Sequence, residues 1–232
     1  MQIASSRDQF NPLAERYSQS PVHRAGASLP VLLELAEPKI SDAVLDVATG
    51  PGNTAFALAD YVQSVIGVDI APRMLEQAPF VSGVFSLVVS RHAPHHFHDV
   101  GKFLSEVHRV LACGGRFVLA DQISPTAEIS DWIDYWERTR DPSHFLQRTV
   151  SQWQELARNT GFFWIKHEIV PYRLQFDWWV TQAGCDAERI AQLRRQIQRA
   201  GPEITKWLDP EFDHNNQPLS FIEPILVVRM EP

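Results

Sequence analysis

The sequence predicts an open, mostly parallel α/β sheet with helices on both faces. Three observations predict it. Short apolar runs rich in β-branched residues alternate with segments of helical period. A glycine-rich turn joins the first such run to a helix, and an acid closes the second. Strands buried on both faces of a parallel sheet read as nearly continuous apolar runs, and their alternation with helices implies right-handed crossovers.

The elements follow in order. Asn11-Pro12 pairs an N-cap residue with proline at the first helical position, opening a short helix through Tyr17. A second helix covers residues 27–36 and stops before Pro38. The period then changes, and "AVLDV" (43–47), "SVIGVD" (64–69), "FSLVV" (85–89) and "RFVLAD" (116–121) read as strands. Between the last two, Val100, Phe103, Leu104, Val107 and Leu111 make one apolar stripe, with Lys102, Glu106 and Arg109 off it. That helix spans 99–111, and Gly114-Gly115 ends it and turns the chain into the next strand.

Beyond Asp121 the composition shifts. Residues 124–150 are polar with scattered aromatics, among them Trp132, Tyr135, Trp136 and Phe145. "SQWQELARNTGF" is a helix ended by Gly161, "FFWIKHEIVPYRL" a strand, "DAERIAQLRRQIQRAG" a helix and "LSFIEPILVVRM" a last strand. The aromatic-rich segments at 124–150 and 175–218 read as a cap on the sheet. The expected organisation is a single domain over 1–232: a helical arm at 1–40, a cofactor-binding core at 41–121, then the cap and the C-terminal half of the sheet at 122–232.

Composition narrows the function. A chain of 232 residues with 44% hydrophobic content can bury a full core. Its formal charge of −7 and pI near 5.7 argue against nucleic acid as the main partner. Cys113 and Cys185 have no metal-type spacing and are too few for a disulfide framework, which points to free thiols in a reducing compartment. There is neither a signal-peptide pattern nor an apolar stretch of the ~20 residues a bilayer requires. The expectation is a cytoplasmic protein, monomer or homodimer, acting on a small molecule.

The turn "DVATGPGNTA" carries the chemistry. Gly50, Gly52 and Ala55 satisfy G-x-G-x-x-A, and Asp69 stands nineteen residues beyond Gly50. Glycines let the backbone approach a cofactor, and an acid at the end of the next strand can accept from both hydroxyls of a ribose. An NAD-dependent dehydrogenase shares this pattern. Asp46 favours methyl transfer: a carboxylate there suits a cofactor bearing an amino group and a sulfonium, and it repels a pyrophosphate. No third glycine stands at position 55, and no Arg sits just after Asp69 to bind a 2′-phosphate.

"VLDVATGPGNTAFALA", "VIGVDIAPRMLEQA", "FSLVVSRHAPHHFHD" and "EVHRVLACGGRFVLAD" resemble, in order, the motifs of the class I S-adenosylmethionine-dependent methyltransferases. The likeness is strongest to the ubiquinone/menaquinone-biosynthesis type and its uncharacterised bacterial relatives. "RDPSH" (140–144) and "NNQPLSF" extend it into the C-terminal half. The resemblance implies a seven-stranded-type sheet and S-adenosyl-L-methionine as cofactor. It further implies that Asp46, Ala48, Gly50 and Gly52 wrap the methionine part and that Asp69 holds the ribose. Ile70 and Met74 would flank the adenine, Arg91 and His92 would line the methionine side, and Tyr17 and Arg24 would close over the cofactor.

One departure from the family is large. Between "MLEQA" (74–78) and "PFVSGVFSLVV" (79–89) the relatives carry the rest of a helix, a third strand and an acidic loop that contacts the adenine. Here Ala78 meets Pro79 directly, as if roughly 20–25 residues were removed from a crossover that usually needs a dozen or more. The lost strand is an edge strand, so the central ladder survives. Two readings stay open: a shortened, weakly binding methyltransferase or methyltransferase-like binding protein, or a protein with a flexible segment that this sequence omits.

"RHAPHHFHD" places His92, His95, His96 and His98 within seven residues. Pro94 interrupts helical ligand spacing and no H-E-x-x-H is present, so no metal is expected. The imidazoles are solvated or cap the helix starting near Asp99, or else they line the active site, since the loop lies at the carboxyl end of a central strand. A hydroxyl, phenol or enol acceptor gains from a base near neutral pKa. His96 is the first candidate for that base and His92 the second.

Overall fold

Seven runs of the described chain pair into a single sheet. The computed structural model describes residues 11–13, 20, 24–69 and 80–232. Its strands are β1 (Ala43–Val47), β2 (Ser64–Val68), β3 (Phe85–Arg91), β4 (Leu111–Gln122), β5 (Phe163–Gln175), β6 (Glu211–Phe212) and β7 (Pro218–Glu231). They lie in the order β2-β1-β3-β4-β7-β5, with β6 on β7. The first four pair in parallel, and β7 pairs antiparallel with β4, β5 and β6, so β7 alone runs against the rest. The mostly parallel α/β sheet expected from the sequence is the one observed.

Each face of the sheet has its own helices. On one, α1 (Ser28–Ala36) sets Leu32, Leu35 and Ala36 against Val44, Leu87, Val89, Val118 and Ala120. Leu58 of α2 (Asn53–Ala59) joins that layer. On the other, α3 (Val100–Val110) and α5 (Val150–Asn159) pack Phe103, Leu104, Val107 and Trp153 against Leu45, Val88, Phe117 and Leu119. Neighbouring residues of each strand thus enter opposite layers, as the two-residue period demands. Asp99 caps α3 by accepting from the Lys102 amide at 2.9 Å, and Thr149 with Gln152 forms a capping box on α5.

Arg116 ties α1 to the sheet. Its guanidinium donates to the Ala36 and Glu37 carbonyls at the end of α1 and meets Asp42 Oδ2 at 2.6 Å. Both side chains are buried, and removing one partner of such a pair costs about 3–5 kcal/mol.

The structure departs from the sequence reading in three places. The strand β2 is not buried on both faces: it pairs only with β1 among the described residues, and Ile66 is 45% exposed. Pairing in β4 begins at Leu111, not after the glycines; Phe85 faces Leu111 and Leu87 faces Arg116, so residues 112–115 bulge from the ladder. Residues 127–140 form a regular helix, α4 (Ala127–Arg140), capped by Thr126. The helix was hard to read because its buried face mixes Ile133 and Trp136 with Ser130, Asp134 and Glu137, which breaks the apolar stripe.

The cap over the C-terminal half has its own core. Trp136 of α4, Phe176 and Trp179 of α6 (Phe176–Gln182), and Leu193 and Ile197 of α7 (Ala187–Gln198) surround Phe221 of β7. Leu208 of α8 (Pro202–Leu208) closes the cluster. Aromatic residues that read as scattered in sequence converge here: Trp136 and Trp179 stand 4.4 Å apart and each sets an edge on Phe221.

Candidate active site

The turn after β1 is built by backbone conformation. Ala48, Gly50 and Gly52 have φ of 59°, 53° and 87°, a region that L side chains enter at a cost and glycine enters freely. The Thr49 amide donates to the Val68 carbonyl at 3.0 Å, and the Gly50 amide donates to Asp69 Oδ2 at 2.5 Å. The ends of β1 and β2 are thereby stitched together at their carboxyl edge. A Cβ on Gly50 would meet no atom of the described residues within 4 Å, which leaves this backbone approachable by a ligand on that side.

Asp46 lies beneath the turn with 1% exposure. Thr49 Oγ1 donates to its Oδ2 at 2.6 Å. Burial pushes its pKa up to about 6, against the pull of the Thr49 hydroxyl, the Ala55 amide and the Arg91 charge. Gly67, level with Asp46 on β2, makes this geometry possible: a Cβ there would stand 2.9 Å from the Thr49 side chain.

At the end of β3, Arg91 Nε donates to Ser28 Oγ at 3.1 Å, and that oxygen lies 3.1 Å from His92 Nε2. Burial lowers the Arg91 pKa to about 10, offset in part by the charge of Asp46, so the guanidinium stays cationic at neutral pH. His92 sits at φ 55° with its amide bonded to the Ala120 carbonyl. Arg24 is exposed. Tyr17, Ile70, Met74 and the Ala78–Pro79 junction lie outside the described residues.

The histidines divide. Asp99, not an imidazole, caps the following helix, and only His98 is exposed, with its ring 4.5 Å from Phe145. Residues Pro94–His96 form a 3₁₀ turn. His95 Nδ1 donates to Asp121 Oδ1 at 2.6 Å, and both residues are buried. His96 is partly buried and turns its Nδ1 toward Ser143, 3.1 Å from the carbonyl oxygen. Its burial and the charge of His95 hold its pKa below the ordinary imidazole value, which makes it a weak proton acceptor and argues against it as the base. Behind them His144 Nε2 donates to Asp134 Oδ1 at 2.7 Å, and the Phe145 and Leu146 amides both bond the His95 carbonyl. Among the described residues no three His, Cys, Asp or Glu side chains converge on a metal position.

Thr49, Gly67, Ser28, Asp121 and the Asp134–His144 pair were not singled out in the sequence. Asp121 carried a usable signal, since it ends β4 much as Asp69 follows β2. Ser28 and Gly67 depend on contacts between distant segments, and Thr49 and the Asp134–His144 pair on the local fold of a turn and a loop.

An open sheet with one reversed strand, and a glycine turn flanked by Asp46 and Asp69 at its carboxyl edge, define a class I methyltransferase fold. Residues 45–119 match the family model of a methyltransferase domain. The chain is 32% identical to the uncharacterized methyltransferase YcgJ of Bacillus subtilis, over 94% of this chain and 96% of that one. It therefore belongs to the class I S-adenosylmethionine-dependent methyltransferases. The crystal structure of YcgJ superposes with a TM-score of 0.80 at 30% identity, covering 88% of this chain and 97% of YcgJ. BH2331 of Bacillus halodurans gives 0.81 at 26% identity over 88% and 98%. The demethylmenaquinone methyltransferase of Thermus thermophilus is 33% identical over 38% of this chain and 51% of its own length. Family membership sets the dehydrogenase reading aside.

The same matches bear on the shortened crossover. The YcgJ alignment runs over 244 residues, while 94% of this 232-residue chain is about 218, leaving roughly 26 opposite gaps. The Thermus alignment runs over 112 residues against about 88 of this chain, an excess of roughly 24. The two matches carry nearly the same excess although the matched span more than doubles, as one insertion in a stretch common to both would give.

Proposed function

We propose that this chain binds S-adenosyl-L-methionine at the carboxyl edge of β1, β2 and β3 and transfers its methyl group to a small-molecule acceptor. The observation that carries the reading is the frame of Asp46, Thr49, Gly50 and Asp69. It combines backbone open to a ligand, an exposed acid beside it, and a buried carboxylate beneath.

The residues fit the cofactor. A buried Asp46 with a pKa near 6 is stabilised in its ionised form by an adjacent cation, which the amino and sulfonium groups would supply. Asp69 accepts from ribose hydroxyls, the backbone of Ala48, Gly50 and Gly52 lies along the methionine part, and Arg91 and His92 wall the crevice. Tyr17, Arg24, Ile70 and Met74 complete the site on the family likeness. The cofactor supplies an activated methyl group; the protein has to align the acceptor behind it and exclude water. In this reading residues 41–121 hold the cofactor and 122–232 cover the acceptor within a single domain. A cytoplasmic location goes with it, supported by the free thiols of Cys113 and Cys185.

Isothermal titration with S-adenosylmethionine, S-adenosylhomocysteine and NAD tests the reading. Binding of the first two and not the third is expected. Binding of NAD alone, or of none, overturns it.

A further inference from the structure

We propose that His95, oriented by Asp121, is the base that takes the proton from a phenol-type hydroxyl as that oxygen accepts the methyl group, an inference that rests on the methyltransferase reading above. His95 is held from three sides. Asp121 fixes its Nδ1–H at 2.6 Å, two amides of the 145–146 segment fix its carbonyl, and the rings of His96 and His144 lie 4.1 and 5.5 Å away. A donor at Nδ1 leaves the lone pair on Nε2, the tautomer a base requires. Nε2 has no hydrogen-bond partner among the described residues, and His95 keeps 7% of its surface exposed. Asp121 and Arg91 lie at the ends of neighbouring strands, so the dyad stands at the carboxyl edge, where open α/β sheets bind ligands.

The surrounding charges favour proton uptake at this one imidazole. Burial alone would lower the His95 pKa, but the bonded carboxylate of Asp121 raises it above the ordinary value. Glu137 of α4 and Glu223 of β7 add less, since burial raises their own pKa values, that of Glu137 to about 8. His96, in contrast, is lowered by burial and by His95, and His144 is lowered by burial despite its bond to Asp134. Arg148 donates to the Pro94 and Leu146 carbonyls and Arg140 pairs with Glu137, so both cations are engaged beside the dyad. Asp141 faces His96 and bonds Ser143.

The step balances. The acceptor's oxygen forms a bond to the methyl carbon, the sulfur–methyl bond breaks with its electron pair left on sulfur, and the hydroxyl proton passes to His95 Nε2 and then to solvent. A un-ionised phenol, with a pKa of about 10, is a poor nucleophile without such a base, and general-base catalysis contributes about 10²–10⁴-fold. Asp121 is a positioning residue, acting through His95.

Turnover of phenol and of 4-nitrophenol at pH 8.5, where only the second is ionised, tests the proposal in the wild type and His95→Asn. A loss of about 10²–10⁴-fold on phenol with little change on 4-nitrophenol is expected. Equal losses on both, no loss on either, methylation of amine probes alone, or no phenol turnover by a wild-type chain that binds S-adenosylmethionine overturns it. Failure of the wild type to bind that cofactor overturns the methyltransferase reading instead. An acceptor-free measurement stands beside these: NMR titration of the histidine Cε1 signals should place His95 above about 6.5 and lower it in Asp121→Asn. A wild-type midpoint below that value, or one that Asp121→Asn leaves unmoved, also overturns the proposal.

Discussion

The backbone amide of Gly50 donates to the carboxylate of Asp69 at 2.5 Å, so the acid that follows β2 closes the turn that follows β1. The same carboxylate is the proposed acceptor for the ribose, and the two roles separate by substitution. Asp69→Ala should weaken S-adenosylmethionine binding by about 1.5–3 kcal/mol, the range for hydrogen bonds to a charged group. Asp69→Asn keeps an oxygen for the Gly50 amide and should lose less. Calorimetry that finds both variants equal to the wild type removes Asp69 from the ribose role.

Asp46 should set stability against binding. Its folded pKa of about 6 lies above the unfolded value of about 3.8, so the folded chain holds this proton more tightly. Stability contributed by the protonated form is therefore lost as pH rises from about 4 through 6. A shift of about two units is worth roughly 3 kcal/mol at most. Between pH 4 and 7 the unfolding free energy of Asp46→Asn should gain on the wild type by up to that amount, while its cofactor affinity falls. Denaturant melts at both pH values that keep a constant difference would refute the buried-carboxylate account.

Gly67→Ala probes the support beneath the turn. The added methyl would stand 2.9 Å from the Thr49 side chain, whose hydroxyl bonds Asp46. Thr49 has to rotate away, or β2 has to shift from β1. A destabilisation of about 1–3 kcal/mol is expected, the usual range for overpacking, together with weaker cofactor binding. Pairing the change with Thr49→Ser, which removes one crowded methyl, should recover part of both. If Gly67→Ala melts and binds like the wild type, Thr49 is not needed where it stands.

Much of this architecture was legible because its signals are local. The strand β1 shows its bounds in "AVLDV", and α3 in five apolar residues at helical spacing; both are found within a residue or so of the expected ends. The glycine turn and Asp69 were legible because positive φ and a strand-end acid leave marks in sequence. The helix α4 was not, since it buries Asp134 and Glu137 beside Trp136, and buried polar groups paired with His144 and Arg140 imitate a surface segment. The histidines show the same limit. Four imidazoles in seven residues look equivalent until Asp121, brought by a neighbouring strand, is seen to bond His95. His96 was favoured without knowledge of that charge.

The last prediction concerns the crossover after β2. The relatives carry about two dozen residues that this chain lacks, and β2 pairs only with β1 among the described residues. Family likeness assigns the missing stretch a third strand and an acidic loop against the adenine. Intact mass of the protein from its own cells comes first. The chain as written weighs 26.4 kDa, and roughly 3 kDa more, at its mean of about 114 Da per residue, would mean that the segment is present in the cell. If the mass is 26.4 kDa, the corresponding YcgJ segment should be inserted between Ala78 and Pro79. A restored polar contact is worth about 1–3 kcal/mol, so S-adenosylmethionine should bind the insertion variant about 10- to 100-fold more tightly. The uninserted chain, with Ile66 exposed on a strand that pairs only with β1 among the described residues, should also self-associate more in sedimentation velocity, because unpaired edges recruit other strands. Equal affinity and equal sedimentation of the two would show that the short crossover leaves the adenine pocket and the edge intact.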